Sequence, residues 1–282
     1  MNRRSSVPGA HSMPDSLTES AAAEHGSPAP AAILGMHVHA ITYAGSTAVV
    51  CNWAEQGEAR YVCAANVHMV MEAWDDPAFR AFVNAADLVT PDGMPLVWVL
   101  RRKGHSLRDR VYGPTLMRWV VAEAAKRGIP VGFLGGAPEV LAALVRNVRS
   151  DFPGVSVAFQ HSPPFRALSA DEDRALVRQI NASGARILFV GLGCPAQERW
   201  MAAHAAGTEH PVRAVMLGVG AAFDFHAGTL RQAPAWMQRR GLEWVFRLAV
   251  EPRRLWKRYL RHNPRFAVLA VMELWFPHRS RR

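Results

Sequence analysis

The sequence predicts an α/β fold in which a parallel β-sheet is flanked by helices and a basic amphipathic helical segment follows at the C-terminus. Apolar runs repeatedly end at a glycine turn and continue into a helix-like segment, which is typical of parallel sheets. The clearest runs are residues 129–134, 186–190 and 212–217, with glycine turns at 135–136, 191–193 and 218–220. A second observation is a strong excess of basic residues near the C-terminus.

Each predicted strand leads into a predicted helix. Helices are expected at 138–149 and 196–206, and an earlier strand at 60–64 precedes a helix at 67–74. Ligands of parallel α/β folds bind at the carboxyl ends of the strands, which is where the glycine turns lie. The predicted ligand site is therefore at this edge of the sheet.

Composition divides the 282 residues into three parts. Residues 1–32 are rich in Ala, Ser and Pro without periodicity, which predicts a disordered leader. Residues 33–228 form the predicted α/β domain, and residues 229–282 form the C-terminal segment. The three cysteines include no CxxC pair, which argues against a disulfide framework or a structural zinc site and suits a reducing cytoplasm.

The net charge of +10 lies entirely in the C-terminal segment. From Thr229 onward the chain has thirteen Lys or Arg and three Asp or Glu, whereas the preceding residues have twenty of each. Such a local excess indicates an anionic partner: a membrane surface, phosphate groups or nucleic acid. Because no helix-turn-helix, zinc-finger or RNA-binding signature is present, nucleic acid is not the expected partner.

The C-terminal segment is predicted to contain an amphipathic helix that begins at Pro252 and ends at Asn263-Pro264. Its apolar face carries Leu255, Trp256, Tyr259 and Leu260. Its basic side carries Arg253, Arg254, Lys257, Arg258 and Arg261. These basic residues and Arg247 could bind phosphates or lipid headgroups, and the alternative is a solvated helix face.

Residues 266–276 are apolar except for Glu273. This stretch is too short to span a bilayer and long enough to lie in its interface. No run in the chain reaches about 18 uncharged apolar residues, so no spanning helix is expected. The segment is therefore predicted to associate peripherally with a membrane.

The turn at residues 90–95 contains a carboxylate, Asp92, between a proline and a glycine, which have unusual backbone preferences. Pro91 fixes φ before Asp92, and Gly93 permits a conformation that other residues resist. A carboxylate held in this way could act as a general base. The alternative is an ordinary β-turn.

The segment from Gly191 to Ala196 fits the pattern G-x-G-x-x-A after a strand, and Gly193 is its second glycine. Backbone N–H groups at such a turn can hold a nucleotide pyrophosphate. A dinucleotide site also needs an acidic residue after the next strand, but Glu209 precedes that strand. A nucleotide-sugar turn, a simple tight turn and an NAD site remain open.

Three polar residues follow other predicted strands. Asn66 and His68 come after the strand at 60–64, where they could point into a cleft, although Asn66 could equally cap the next helix. Asp224 follows the turn at 218–220 and could accept hydrogen bonds from a base, a ribose or a sugar, or cap a helix. No His, Asp and Glu cluster has metal-ligand spacing, so no metal site is predicted.

Seven segments taken together resemble the WecG/TagA/CpsF glycosyltransferase family. They are AANVHMVMEA (64–73), ADLVTPDGMPLVW (86–98), RVYGPTLM (110–117), GFLGGAP (132–138), ILFVGLGCPAQERWM (187–201), GVGAAFDFHAG (218–228) and APAWMQRRGLEWVFRLAVEPRRLWKRYLRHNPRF (233–266). They run in family order across about residues 33–266. The combination is specific, although no single motif is.

The resemblance implies a Rossmann-like glycosyltransferase on the cytoplasmic face of the membrane. It would transfer a sugar of N-acetylmannosamine type, or glucose, from a UDP-sugar to a polyprenyl-diphosphate-linked acceptor in cell-surface or exopolysaccharide synthesis. The reaction would invert the anomeric centre and need no cofactor or bound metal. Two rival interpretations stay open: an NAD-dependent oxidoreductase, and a non-enzymatic basic module that binds membranes or nucleic acid.

The resemblance also implies roles for particular residues. Asp92 would be the general base, Asn66 and Gln197 would line the sugar pocket, and Arg110 would hold the acceptor or donor. The nucleotide site would be formed by Gly135, Gly136, Gly191, Gly193, Gly220 and Asp224. The diphosphate leaving group would be neutralised by Arg247, Arg254 and Arg258. Many members carry Thr where this chain has Ala64, so a hydroxyl contact to substrate would be missing.

Overall fold

The computed structural model describes residues 28–276. Most of the predicted disordered leader therefore lies outside the described residues, as does the C-terminal end from residue 277. The folded part begins slightly earlier than expected, because Pro30–Ile33 forms strand β1. This strand pairs antiparallel with β2 (Met36–His39) in a small two-stranded sheet.

The main sheet has six parallel strands in the order β4-β3-β8-β7-β5-β6. Their bounds are β3 (Arg60–Ala65), β4 (Leu88–Pro91), β5 (Val131–Gly135), β6 (Val157–His161), β7 (Ile187–Gly191) and β8 (Val215–Gly218). Every strand pair in it is parallel, which confirms the predicted fold class.

Twelve helices complete the described part of the chain. They are α1 (Tyr43–Gln56), α2 (Val67–Asp75), α3 (Pro77–Asn84), α4 (Met94–Arg102), α5 (Gly113–Arg127), α6 (Pro138–Asp151), α7 (Ala170–Ser183), α8 (Ala196–Ala203), α9 (Ala222–Ala227), α10 (Ala235–Arg239), α11 (Glu243–Val250) and α12 (Pro252–Trp275). Local signals set several of their ends: a capping box of Ser169 and Glu172 begins α7, and Gly184 ends it with φ +78°.

The core has two layers, one on each face of the main sheet. Along β7, Leu188 and Val190 pack on one face, and Ile187 and Phe189 pack on the other. Because both faces are covered by helices, alternate side chains of the strand are apolar in both directions. This explains why the strands appear in the sequence as continuous apolar runs.

Helix α12 does not end where the sequence predicts. The expected stop at Asn263-Pro264 is wrong, because α12 continues to Trp275 with Pro264 inside it. Proline inside a helix removes a hydrogen bond and crowds the preceding turn, so packing must compensate. Leu255, Phe266 and Ala270 are buried along one stripe that crosses the proline, and α12 contacts α2 and α4.

Polar contacts beyond the proline hold the last turns of α12 in place. The carboxylate of Glu273 accepts a hydrogen bond from the backbone N–H of Leu34 at 2.8 Å and pairs with Lys103 at 2.7 Å. Tertiary contacts of this kind override the local stop signal. Among residues 28–276, no helix combines the length and apolar character needed to cross a membrane.

Candidate active site

A cleft of about 2020 Å³ opens at the carboxyl ends of strands β3, β4, β5, β7 and β8. Helices α11 and α12 form another part of its wall. All the predicted site residues line this cleft: Asn66, Asp92, Arg110, Gly135, Gly136, Gly191, Gly193, Gln197, Gly220, Asp224, Arg247, Arg254 and Arg258. Residues far apart in the sequence therefore meet at one edge of the sheet, as expected for a parallel α/β fold.

Asp92 lies in the connection between strand β4 and helix α4. Its backbone N–H donates to the carbonyl of Ala65 at 2.8 Å, which extends the pairing of β4 with β3 by one residue. The next residue, Gly93, has φ −101° and ψ 137°, which any residue can adopt. The expectation that Gly93 is needed for an unusual backbone conformation is therefore wrong, and the strand end itself places the carboxylate.

The surroundings of the Asp92 carboxyl group shift its pKa. Burial raises the pKa of Asp92 to about 7, and the nearby charge of Glu243 adds to the rise. The charge of Arg110 acts in the opposite direction, as does the backbone N–H of Gly113, which donates to Oδ1 at 3.3 Å. A carboxyl group with a pKa near neutral can both accept and release a proton at physiological pH.

Asn66 combines the two roles that the sequence left open. Its side-chain oxygen caps α2 by accepting a hydrogen bond from the backbone N–H of Met69 at 3.2 Å. Its side chain also lies close enough to Asp92 to oppose the rise in the pKa of that carboxyl group. Asn66 thus connects the start of α2 to the floor of the cleft.

Arg110 joins the α/β body to the C-terminal segment. One guanidinium nitrogen, Nη2, donates to Gln238 at 3.0 Å and to the carboxylate of Glu243. The other, Nη1, donates to the backbone carbonyl of Asp92 at 3.4 Å, and the guanidinium lies 4.2 Å from the ring centroid of Tyr112. Arg110 is therefore held in a fixed position at the cleft wall.

Gln197 and Glu198 form a buried polar pair under the turn after β8. The amide oxygen of Gln197 accepts from the N–H of Gly220 at 3.1 Å, and its amide nitrogen donates to Glu198 at 2.7 Å. Glu198 is fully buried, and burial raises the pKa of its carboxyl group. The pair fixes the position of the Gly220 turn against helix α8.

The glycine turns after β5 and β7 touch each other. A Cβ atom on Gly135, which has φ +123°, would lie 2.5 Å from the carbonyl oxygen of Gly191. A Cβ atom on Gly191 would lie 2.9 Å from the ring of Phe223. A side chain at position 135 would therefore separate the two strand ends, and one at position 191 would displace Phe223.

Asp224 lies in the first turn of α9 and lines the cleft. Its backbone carbonyl accepts hydrogen bonds from the N–H and the hydroxyl of Thr229, each at 3.0 Å. Its carboxylate oxygen Oδ1 lies 3.4 Å from the same hydroxyl. Asp224 thus stabilises the chain reversal that follows α9 and also presents its carboxylate to the cleft.

Three arginines of α11 and α12 reach the cleft in different environments. Arg247 lies 3.5 Å from Glu251, and Arg254 lies 2.9 Å from the same carboxylate. Arg258 is half-buried and has no carboxylate within 4.0 Å among the described residues. The side chains of Arg253 and Lys257 are exposed and lie outside the cleft lining.

The predicted apolar face of α12 is divided between core and surface. Leu255 is fully buried and Tyr259 is half-buried, with its ring 6.0 Å from that of Trp244. Only Trp256 and Leu260 of the predicted face are exposed. The expectation of one continuous apolar face is wrong because α12 packs on the body with part of that face.

One cluster in the cleft was not predicted from the sequence. His68 and Glu72 on α2 meet His262 on α12. His68 and Glu72 are four residues apart on one helix, a spacing that could have drawn attention to them. The third member comes from an element almost two hundred residues later, which is why no sequence spacing reveals the group.

The model of the "Glycosyl transferase WecG/TagA/CpsF family" matches residues 31–280 of the chain. The chain belongs to this family. It is also 32% identical over 208 residues to the N-acetylglucosaminyldiphosphoundecaprenol N-acetyl-beta-D-mannosaminyltransferase of Bacillus spizizenii. That match covers 74% of this chain and 77% of the relative.

Membership in the WecG/TagA/CpsF family confirms the resemblance seen in the sequence and makes the protein a glycosyltransferase. It decides against the oxidoreductase and the non-enzymatic module. The assigned roles of the cleft residues stay predictions, since membership alone does not test them. The cleft at the strand ends is the candidate active site of this glycosyltransferase.

Three polar residues that line the cleft or hold cleft residues in place are not predicted from the sequence: Glu198, Gln238 and Glu243. All three lie inside segments that carry the family resemblance. No pattern marked them, because Gln238 and Glu243 act on Arg110, more than 120 residues earlier in the chain. Glu198 follows Gln197 in helix α8, and no pattern in that segment distinguishes it from a surface glutamate.

Proposed function

We propose that the protein transfers a hexose from a UDP-sugar to a polyprenyl-diphosphate-linked acceptor, with inversion at the anomeric carbon. The observation that carries the proposal is a carboxyl group with a pKa of about 7, Asp92, at the floor of a cleft lined by glycine turns and arginines. A group of this acidity suits a base that must be ionised before reaction and protonated after it.

The acceptor class is supported by the relative from Bacillus spizizenii. Its name describes transfer of an N-acetyl-beta-D-mannosaminyl group to N-acetylglucosaminyldiphosphoundecaprenol. The aligned part covers about three quarters of each chain. We therefore propose a donor of N-acetylmannosamine type first and a glucose donor second, with a lipid-linked GlcNAc acceptor.

In the proposed reaction, Asp92 removes the proton from the acceptor hydroxyl as its oxygen attacks the anomeric carbon. The new bond joins that oxygen to the anomeric carbon, and the bond between the anomeric carbon and the UDP oxygen breaks. The proton stays on the Asp92 carboxyl group, and UDP leaves with the electron pair. A single displacement of this kind inverts the configuration at the anomeric carbon.

Positive charge beside the departing diphosphate would stabilise the transition state. Arg247, Arg254 and Arg258 line the cleft from the C-terminal segment and are the proposed donors. Arg258 is the foremost of these because no carboxylate within the described residues pairs with it. Fixed arginines cost little reorganisation when charge develops on the leaving oxygen.

The glycine turns supply the proposed site for the nucleotide part of the donor. Gly135 and Gly191 bring two strand ends into contact, and Gly193 and Gly220 have positive φ values of +81° and +52°. Backbone N–H groups at such turns can approach phosphate or ribose oxygens closely. Asp224 is the proposed acceptor for a ribose or base donor at the same end of the cleft.

The C-terminal segment is the proposed membrane contact, which would place the enzyme peripherally on the cytoplasmic face of the membrane. Its exposed apolar side chains include Trp256, Leu260, Val268, Val271, Met272, Trp275 and Phe276. Exposed basic residues accompany them on α12. An apolar and basic surface of this kind favours the interface of an anionic bilayer, where a polyprenyl acceptor resides.

The direct test is a donor and acceptor screen with the purified full-length protein. UDP-N-acetylmannosamine, UDP-glucose and other UDP-sugars are each incubated with polyprenyl-diphosphate-linked GlcNAc or a disaccharide acceptor. Products are identified by mass spectrometry, and the anomeric configuration by NMR. We expect one UDP-sugar to give an inverted product. Failure of every UDP-sugar, or retention of configuration, would contradict the proposal.

A further inference from the structure

Helix α2 and helix α12 face each other through a cluster of two imidazoles and one carboxylate. Nδ1 of His68 and Nε2 of His262 each lie 3.6 Å from the same oxygen, Oε1 of Glu72. The centroids of the two rings are 5.2 Å apart, and one ligand atom from each residue lies within 4.8 Å of the others. Both histidines line the cleft.

Hydrogen bonds do not account for this arrangement. A separation of 3.6 Å is longer than a nitrogen–oxygen hydrogen bond, so Glu72 holds neither imidazole in that way. Nδ1 of His68, the atom that faces Glu72, is buried without a partner in the described part of the chain. His262 is only 5% exposed. Buried polar atoms normally have partners, so the cluster lacks a component.

We propose that His68, Glu72 and His262 bind a divalent metal ion of the zinc class. Zinc lies about 2.1 Å from imidazole nitrogen and carboxylate oxygen, so neighbouring ligand atoms of a tetrahedral site are about 3.4 Å apart. The two distances of 3.6 Å match such edges closely, and the ligand atoms of the two histidines lie within 4.8 Å of each other. Two histidines and one glutamate leave a fourth position open to the cleft. The charge of Arg258, which also lines the cleft, opposes a cation in this cluster, so we expect weaker binding than at a closed four-ligand site.

A metal ion at this position would connect the C-terminal segment to the α/β body. His68 and Glu72 belong to the body, whereas His262 belongs to the helix that carries Arg254 and Arg258. A bound ion would hold α12 against α2 and so fix the distance of these arginines from the floor of the cleft. The ion would position the helix and takes no part in the proposed transfer of the sugar.

The test measures metal binding alone, so its result is independent of the proposed reaction. The full-length protein is freed of metal with a chelator and titrated with Zn²⁺ against a chromophoric competitor, and its thermal unfolding is followed with and without Zn²⁺. We expect that each chain takes up one Zn²⁺ ion in competition with the chromophore, and that the melting temperature is higher with Zn²⁺. With Co²⁺ in place of Zn²⁺, we expect visible d–d absorption typical of low coordination number.

The variants are His262→Gln and, at a less buried position, His68→Gln. Each should weaken Zn²⁺ binding at least tenfold and remove the Zn²⁺-dependent rise in melting temperature. The matched control is His210→Gln, because His210 also lies 3.6 Å from a carboxylate, that of Glu209, but its side chain is 42% exposed and no third ligand joins the pair within the described residues. Zn²⁺ binding that is absent in the full chain, or equal in His68→Gln and the control, would overturn the proposal.

Discussion

Strands β5, β7 and β8 bury nearly all their apolar side chains, whereas helices α11 and α12 leave many of theirs in contact with solvent. Of the thirteen large apolar side chains that are exposed among the described residues, only Trp98 and Phe165 belong to the α/β body. The other eleven follow residue 229. The basic excess of the sequence follows the same division. The body thus buries most of its apolar side chains, whereas the C-terminal segment leaves an apolar and basic surface exposed, and this surface is the proposed membrane contact.

Polar contacts join the two regions in addition to the buried apolar stripe of α12. Arg110 of the body meets Glu243 of α11, and Lys103, which follows α4, meets Glu273 of α12. Asp75 at the end of α2 pairs with Arg265 at 2.6 Å. Directional contacts of this kind fix the orientation of the segment while its outer apolar surface stays exposed. The comparison between the two regions leads to the following predictions.

The largest effect on stability is expected at the joint between the regions. Arg110→Ala leaves the carboxylate of Glu243, which is 12% exposed, buried without its partner. Breaking such a pair costs about 3–5 kcal/mol of the free energy of unfolding. Denaturant unfolding measures the loss. The double variant Arg110→Ala with Glu243→Gln should recover part of it, and strictly additive effects would show that the two residues do not interact.

A smaller effect is expected within the body, at Asp92. Its pKa is raised to about 7 in the folded protein, so the folded state binds more protons than the unfolded state between about pH 4 and pH 7. Stability contributed by this group therefore falls as pH rises through that window. Asp92→Asn should gain about 2–4 kcal/mol relative to the wild type at pH 8 and almost nothing at pH 4. Melting curves at both pH values measure this difference.

The outer surface of the C-terminal segment should determine membrane binding. Replacing both Trp256 and Leu260 by Ser removes side chains that would each gain about 1.5–3 kcal/mol on burial. We expect at least about tenfold weaker partitioning into anionic vesicles, measured by sedimentation. The control is Phe165→Ser, which removes the most exposed aromatic side chain of the body. Equal losses in variant and control would remove the distinction between the two regions.

The smallest expected effect distinguishes an exposed arginine of α12 from one that lines the cleft. Arg253 is exposed and outside the cleft, so Arg253→Gln should lose about 1 kcal/mol, or about fivefold, in binding to anionic vesicles. Its kcat with a short, water-soluble acceptor should be unchanged. Arg258→Gln should instead lower kcat with the same acceptor. The distinction is wrong if both variants lower kcat alike.

Local patterns in the sequence predict four of the six strands of the main sheet: apolar runs that end in glycine turns predict β5, β7 and β8, and a further run predicts β3 before Asn66. Strands β4 and β6 are not predicted, and several cleft residues, such as Arg110 and Gln197, follow only from the family resemblance. Gly93 was given an unnecessary role because a Pro-Asp-Gly tripeptide looks like a turn that requires glycine. In the structure the pairing of β4 with β3 positions Asp92 without any positive φ.

Several features that the sequence did not predict depend on distant contacts. Helix α12 passes Pro264 because its buried stripe packs on α2 and α4, which no local signal reveals. Leu255 faces the core for the same reason, although its neighbours made it look like a surface residue. Glu243 and His262 matter through partners more than 120 residues away. An amphipathic pattern shows which side chains share a face of a helix, but it does not show which part of the protein packs against that face.

The central claim, that Asp92 is the general base, is tested most directly by the pH dependence of kcat. With saturating donor and acceptor, the wild-type rate should rise to a plateau with an apparent pKa near 7. Asp92→Asn should lower the plateau by about 10²–10⁴-fold and remove that titration, whereas the exposed control Asp171→Asn should match the wild type. An Asp92→Asn variant that retains full transfer, or the same pH profile, would contradict the claim.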